Sequence, residues 1–353
     1  MSPSSDPCCH ESPRAASPGW GKRFLGNKLL LIGLADLLLY SSGFVFPPLR
    51  PFQESFRGYL RMIWWALAFG FLLAGVIDRY IPTEYVSKIL ARPSKKTILY
   101  ASGLGVLMSA CSHGILAIAI ELHRKGASGP AVISFLLGSP WANLPVTLLL
   151  IGFFHGKGLV IIGAALGVAI TTGLLLQLLD RWGWIETNKN TAMIDPDFSI
   201  RTDLYRRWQE RQWDGKTLIS DAREIFKGAV AMANMIGWWL LLGITLAGLI
   251  SAFVPSHLFH TYLGPSLTGL LLTLAAATVI EVCSEGSAPL AFEIYRQTGA
   301  FGNTFTFLMG GVVTDYTEIG LVWTNLGWKT SLWMVALTVP QVLLIGWLMN
   351  QVF

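Results

Sequence analysis

Nine stretches of the chain are almost purely apolar, separated mostly by short polar connections. They run roughly over 29–46, 59–77, 97–120, 130–153, 158–179, 229–254, 266–292, 303–325 and 330–352. Runs of about 20 apolar residues are long enough to cross a hydrocarbon core of ~30 Å. The pattern predicts an all-α, polytopic integral membrane protein of about nine segments. The exception to the short connections is the polar stretch from Arg181 to Lys227. Within it, TDLYRRWQERQW opens on a candidate N-cap, Thr202, and spaces Leu204, Trp208 and Gln212 at helical intervals. Such a segment fits an amphipathic helix on the membrane surface, or more plainly a solvated linker helix. The tail up to Gly26 is rich in Ser and Pro, shows no cleavable signal peptide and reads as a disordered extension.

The second to fifth segments read as a copy of the sixth to ninth. MIWWALAFGFLLAGVIDRYIP begins at Met62 and MIGWWLLLGITLAGLISAFVP at Met235, an offset of 173. Further on the offset becomes 172: Cys111 meets Cys283, Ser112 meets Ser284, Gly114 meets Gly286, Glu121 meets Glu293 and Arg124 meets Arg296. The expected organisation is a tail over 1–26, an extra transmembrane segment over 27–58, one repeat over 59–180, a polar cytoplasmic linker over 181–228 and a second repeat over 229–353. Duplication of this kind is a common ground plan of secondary transporters, whose site lies near the midplane where the repeats meet. The loop from Asp78 to Thr97 holds five basic residues and the central linker nine, which places both in the cytoplasm. Three crossings would separate them. A non-crossing pair of half-helices within 130–153, interrupted by SPWANLP, would remove the conflict and invert the repeats.

Two apolar segments carry chemistry. SACSHGILAIAIELHRKG starts at Ser109 and EVCSEGSAPLAFEIYRQTG at Glu281. Glu121, Arg124 and Lys125 belong at an interface, because charge is costly deeper in the bilayer. Ten residues of helix back from Glu121 reach Cys111, about 15 Å, so both Cys-Ser-x-Gly cores are expected near the midplane. Glycine and Pro289 favour broken helices there, and freed backbone at that depth requires a protein-lined or wet cavity. LGSPWANLP around Asn143 and MGGVVTDYTEIG around Asp315 form a second matched pair. Glu281, Glu285, Asp315 and Glu318 of the second repeat stand opposite Ser109, His113, Asn143 and Val146 of the first. The spacing puts Glu281 with Glu285, and Asp315 with Glu318, on shared helix faces. Four carboxyls with His113 as a titratable partner point to proton coupling. The plainer readings are small buried cysteines, helix-to-helix hydrogen bonds, and pairing of Glu121 and Glu293 with Arg124 and Arg296. Asp36 stands alone in the first segment.

Composition narrows the class further. Residues are 53% hydrophobic and 13% charged, against about 25% charged in soluble proteins. The net charge of +5 therefore reflects topology and headgroup contacts rather than nucleic acid. Four cysteines, two of them in the tail, give no disulfide framework. Cys8, Cys9, His10 and Glu11 offer soft-metal ligands without a second group at fixed spacing. No GxxxxGK[ST] motif and no cofactor signature is present, so energy comes from a gradient or a separate subunit.

CSHGILAIAIELHRKGAS, SFLLGSPWANLP and EVCSEGSAPLAFEIYRQTGAFGNTFTFLMGG resemble a family of predicted bacterial permeases that includes the ArsP-type organoarsenical efflux permease and proteins taken to export metal ions. The resemblance covers about Tyr59 to Phe353. It implies a multi-pass permease of the plasma (cell inner) membrane, with family cysteines proposed to bind trivalent methylated arsenicals. By motif match these are Cys111 and Cys283, which would also be the ligands for a metal. Many relatives have Cys-Ser-Cys-Gly in the first block, where His113 stands here.

The resulting expectation is outward movement of a small solute or ion, such as a trivalent arsenical or soft metal species. Cys111, Ser112, His113, Asn143, Cys283, Ser284, Glu285 and Asp315 would contact it, while Glu281, Glu285, Asp315 and Glu318 carry protons. The lipid bilayer is the other partner, and a homo-oligomer is left open. One alternative is a proton-coupled carrier of another small ion or metabolite with incidental cysteines. Another is an intramembrane enzyme with Cys111 or Cys283 as nucleophile and His113 or Glu285 as base, against which the doubling of the motif argues.

Overall fold

A computed structural model of the chain describes residues 28–80, 90, 95–107, 112–188, 206, 209 and 214–353. Among the described residues the ordered elements are helices throughout. They are α1 (Lys28–Ser42), α2 (Arg50–Tyr80), α3 (Lys95–Gly103), α4 (Ser112–Arg124), α5 (Gly129–Ala142), α6 (Leu144–Phe154) and α7 (Gly156–Arg181). After the central stretch come α8 (Gly215–Phe253), α9 (Ser256–Leu263), α10 (Leu267–Ile280), α11 (Ser284–Thr298), α12 (Phe301–Val313), α13 (Tyr316–Leu326) and α14 (Trp328–Val352). The polar tail with Cys8 and Cys9, and most of the TDLYRRWQERQW segment, lie outside the described residues.

Four helical stretches are long and apolar enough to cross a membrane: Pro47–Ile77, Gly156–Arg181, Ile219–Phe253 and Trp328–Val352. Two bent pairs raise the number to six if each is one span. These are α5 with α6, bent by 49°, and α9 with α10, bent by 105°. Four of the nine stretches are broken, among them 130–153 and the stretch that carries the second Cys-Ser-x-Gly core, where breaks were expected. The stretch 97–120 divides into α3, a short 3-10 turn over Leu104–Leu107, and α4; 130–153 breaks at Asn143, 266–292 at Glu281–Cys283, and 303–325 at Thr314–Asp315. Average apolarity does not register a break of one to three residues. The 14-residue α10 reaches only about 21 Å.

The segment edges shift outward as well. The division drawn between 58 and 59 falls inside α2, and the one between 228 and 229 falls inside α8. Both helices begin with polar residues that hydropathy discards. These two are the most extensively packed pair in the fold and run antiparallel. Phe52 and Ser55 of α2 meet Gly248 and Ser251 of α8 at one end, while Arg79 and Asp221 form a 2.8 Å ion pair at the other. Outside this pair, α3 packs on α5, α4 on α5, α5 on α7 and α6 on α7. The second half carries matching contacts of α10 with α12, α11 with α12, α12 with α14, and α13 with α14. Two contacts cross between the halves near the breaks, α6 with α11 and α4 with α13. The apolar interior, including Trp141, Phe135, Phe301 and Phe305, is fully buried in these layers.

A carboxylate closes one helix end from a distance. Glu186 follows α7, and its Oε1 accepts from the Lys329 N–H at 3.0 Å while Oε2 accepts from the Thr330 N–H at 3.0 Å and hydroxyl at 2.9 Å. These are the second and third residues of α14, whose first-turn N–H groups have no partner within the helix. Partial burial draws the Glu186 pKa upward, but the hydrogen bonds from Lys329 and Thr330 outweigh it and leave the carboxyl below its ordinary value. Gly327 holds φ +118°, and a Cβ there would fall 2.3 Å from Glu186 Cδ.

A depressed folded-state pKa contributes stability above the unfolded value of about 4.3 and loses it as pH falls through the folded value. Glu186→Ala is expected to lower stability at neutral pH by about 1 kcal/mol, measured by thermal unfolding of the detergent-solubilised chain. The gap from wild type should close as acid protonates Glu186. Gly327→Ala, which strains the backbone and displaces the same carboxylate, should be at least as harmful.

Candidate functional site

The breaks in the second half adjoin one another. Helix α10 stops because Glu281 adopts a left-handed conformation, φ 39° and ψ 63°, which for a non-glycine residue costs roughly 1–2 kcal/mol. Val282 and Cys283 follow, and α11 restarts at Ser284 with Cys283 at its cap. The freed carbonyls find partners locally: the Ser287 hydroxyl donates to the Val282 carbonyl at 2.7 Å, and the Ser287 N–H to that of Cys283 at 2.8 Å. The second break is capped by Asp315, whose Oδ1 accepts from the Glu318 N–H at 2.9 Å. The Thr278 and Thr314 hydroxyls join the two breaks at 2.6 Å. Glu281 Oε1 accepts from the Thr317 hydroxyl at 3.2 Å, and its carboxyl lies within hydrogen-bonding reach of Asp315.

This geometry corrects the shared-face expectation. Glu281 ends one helix and Glu285 stands in the first turn of the next, so the break separates them. Asp315 precedes α13 and turns back on Glu318 rather than lying along a common face. What the fold brings together is Glu281, Asp315 and Glu318, drawn from two breaks. Glu318 is 1% exposed, and neither of its carboxyl oxygens has a hydrogen-bond partner among the described residues. Cys283 is buried, with its sulfur beside the Glu285 carboxyl, and the Ser284 hydroxyl donates to Glu285 at 3.1 Å.

In the first half, Asn143 performs the capping role that Asp315 performs in the second. Its side-chain oxygen accepts from the Val146 N–H at 2.8 Å, and the residue is 1% exposed. Ser109 and Cys111 lie outside the described residues, as do the side chains of Ser112 and His113 at the start of α4. The reading of a site between two sulfurs falls on them. Among the described residues no group of three or more His, Cys, Asp and Glu side chains is arranged to hold a metal. Close packing positions the restart of α11. A Cβ on Gly243 of α8 would lie 2.2 Å from the Gly286 carbonyl oxygen, so the two backbones touch without side chains between them.

Of the two expected pairs, that of Glu293 with Arg296 is present, and Glu293 is 1% exposed. Arg296 holds it through two 2.9 Å hydrogen bonds, Gln297 donates at 2.7 Å, and the Tyr59 hydroxyl from the other half of the chain also donates to it. Arg296 continues to Ser251 at 2.6 Å, linking α2, α8 and α11. Glu121 pairs with Lys125 at 3.6 Å rather than with Arg124, whose guanidinium reaches Asn325. Sequence reasoning passed over Thr278, Thr314 and Thr317. The signal available for them was a threonine on either side of Asp315 and another one turn before Glu281.

The predicted permease family ArsP_1 matches residues 49–200 and 221–353. Among curated proteins, the chain is 22% identical over 250 residues to "UPF0718 protein YcgR" of Bacillus subtilis, covering 71% of this chain and 80% of that one. It is 26% identical over 252 residues to "Putative permease Rv2963" of Mycobacterium tuberculosis, covering 64% and 58% respectively. It is 25% identical over 269 residues to "Putative two-component membrane permease complex subunit" of Streptococcus mutans, covering 74% and 83%. No solved structure matches the chain. With apolar helices of spanning length and a family match over most of its residues, this multi-pass membrane chain belongs to the ArsP_1 family of predicted permeases.

Proposed function

We propose that the chain is a gradient-driven permease of the plasma membrane that exports a small solute through a site at the helix breaks, with protons as the coupling ion. The observation that carries this reading is Glu318, sealed in protein without a hydrogen-bond partner among the described residues and next to Asp315 and Glu281. A hydrogen bond between two carboxyl groups forms only when one carries the proton, and the closeness of Glu281 and Asp315 suits such sharing. Intramembrane carboxyls that face a bundle interior are the usual elements of proton relays. The strained backbone at Glu281 supports the reading, since such conformations cluster at functional sites.

The two-repeat reading is supported by the matching helix contacts in both halves and by the equivalent caps of Asn143 and Asp315. For cargo, the proposal is a trivalent (organo)arsenical or soft metal species taken up by Cys111 and Cys283. His113, Ser112, Ser284, Glu285, Asp315 and Asn143 provide polar contacts. Soft thiolates suit such species. The family membership and buried Cys283 at a helix break support it.

Three outcomes test this. In everted vesicles, Asp315→Asn should keep the cap, and hence stability, because Asn and Asp cap equally well; transport should lose its response to an imposed proton gradient. Glu318→Gln should do the same. Full gradient response in both variants would sink proton coupling. Separately, Cys111→Ser and Cys283→Ser should each abolish resistance to trivalent arsenicals in cells expressing the chain, at unchanged protein level. Full resistance in both variants would remove the thiols from the mechanism and leave the alternative of another small ion.

A further inference from the structure

Two anchored ends give the helices a direction across the membrane. Where Arg79 of α2 meets Asp221 of α8, the chain leads into the loop from Asp78 to Thr97 and out of the central linker, with five and nine basic residues. This end is cytoplasmic. The opposite end, where Ser55 meets Ser251, is the outer one.

Helix α11 finishes at the outer end, since Arg296 in its last turn donates to Ser251. Its start stops well short of the cytoplasm. Gly286 lies against Gly243 of α8, roughly 12 Å of helix from Ser251 and roughly 33 Å from Asp221. Helix α10 begins at the outer end too. Asn303, at the start of α12, donates to the carbonyls of Leu263 and Gly264 that precede α10, and neighbouring Phe301 lies on Tyr295 of α11. Thus α10 runs inward, turns at Glu281–Cys283, and the chain returns as α11 to the face it left.

Helices α3 and α4 do the same from the other face. Asn188, where α7 leads into the linker, donates to the carbonyls of His123 and Ala127 at the end of α4. Helix α5 starts there and runs inward to its break at Asn143. Helix α3 keeps pace with it in the same direction, with Ile98 and Ser102 at Ser134, then Gly105 at Ser139. So α3 leads inward from the cytoplasmic face and α4 leads back to it.

The correspondence extends to single contacts. A Cβ on Gly138 of α5 would meet Ser102 of α3, and one on Gly310 of α12 would meet Leu274 of α10. A Cβ on Gly173 of α7 would meet Ile98 and Ser134; one on Gly346 of α14 would meet Leu270 and Thr306. Each residue of the second set stands 172 or 173 places after its counterpart. Yet the equivalent helices are antiparallel. This holds for α2 with α8, and for α7 with α14, where Lys157 lies by Phe353 at one end and Glu186 by Lys329 at the other.

We infer that the chain is an inverted repeat whose two Cys-Ser-x-Gly cores ride on re-entrant hairpins, α3–α4 entering from the cytoplasm and α10–α11 from outside. The crossings fall to α2, α5 with α6, α7, α8, α12 with α13, and α14. The stretch 130–153 therefore crosses and 97–120 does not. A different hairpin closes the broken interior toward each face, with Cys111 on the cytoplasmic one and Cys283 on the outer one. Halves related by a two-fold axis in the membrane plane can exchange conformations, which is the basis of alternating access. The topology is independent of the cargo and of proton coupling.

The test is sided labelling of the full-length chain by a membrane-impermeant maleimide, in spheroplasts and in everted vesicles. Single cysteines are placed at exposed positions, with the four native ones changed to Ser: Lys96→Cys and Lys125→Cys flank α3–α4, His257→Cys and Gly299→Cys flank α10–α11, and His155→Cys marks the end of α6. Lys96→Cys and Lys125→Cys should label in everted vesicles and not in spheroplasts. His155→Cys, His257→Cys and Gly299→Cys should do the reverse. Label on opposite faces for either flanking pair would overturn the hairpins, and one face for all five would overturn the inversion. A second measurement keeps the native cysteines and inserts a protease site after Lys125 or after Gly299. Cleavage is expected only from the cytoplasmic side for the first and only from outside for the second; the same side for both would sink the inference.

Discussion

A bilayer interior supplies no hydrogen bonds, so each helix that stops inside this fold must find partners for its backbone within the protein. That constraint accounts for the side chains at the breaks more directly than any substrate does. Asn143 and Asp315 close the starts of α6 and α13, and Ser287 takes the carbonyl of Val282. Polar residues concentrate where the helices end because those are the places that need them. The acids exceed this requirement. Asn143 shows that a neutral amide caps such a break adequately, which leaves the charge of Asp315 and the presence of Glu318 unexplained by backbone satisfaction.

The long antiparallel pair α2 and α8 gives the shorter helices something continuous to lean on. Gly243 lets the start of α11 sit directly on α8, and polar contacts join the two helices near both ends of the pair. Ser55 with Ser251 closes one end and Arg79 with Asp221 the other. Broken helices elsewhere in the fold are then compatible with a defined structure, because the unbroken ones carry the alignment.

Much of this was legible in the residues. Apolar runs identified the membrane class, and pairing Asn143 with Asp315 by position matched two residues that do the same work. Other features were not accessible to pattern. Hydropathy truncates α2 and α8 because their polar ends pack through single ion pairs and hydroxyls. A spacing of four suggests a common helix face, yet Glu281 is itself left-handed and ends its helix before Glu285, a break that no periodicity reveals. The pairing of Glu293 with Arg296 could be read from their spacing, whereas the hydroxyl that Tyr59 donates to Glu293 from more than two hundred residues earlier in the chain could not. Cys111 lies outside the described residues, so the sulfur pair rests on the sequence alone.

The cluster of Tyr59, Glu293, Arg296 and Ser251 has a mechanical consequence. It fastens α2, α8 and α11 together at one corner with charge-assisted bonds around a carboxylate hidden from water. Separating those helices there would break the charge-assisted hydrogen bonds to Tyr59 and Ser251, while Glu293 and Arg296, both on α11, stay paired; the contact between Thr278 and Thr314 is neutral on both sides and parts with less resistance. Of the two junctions, the charged corner is therefore the firmer, and the neutral one beside the acids is the easier to open.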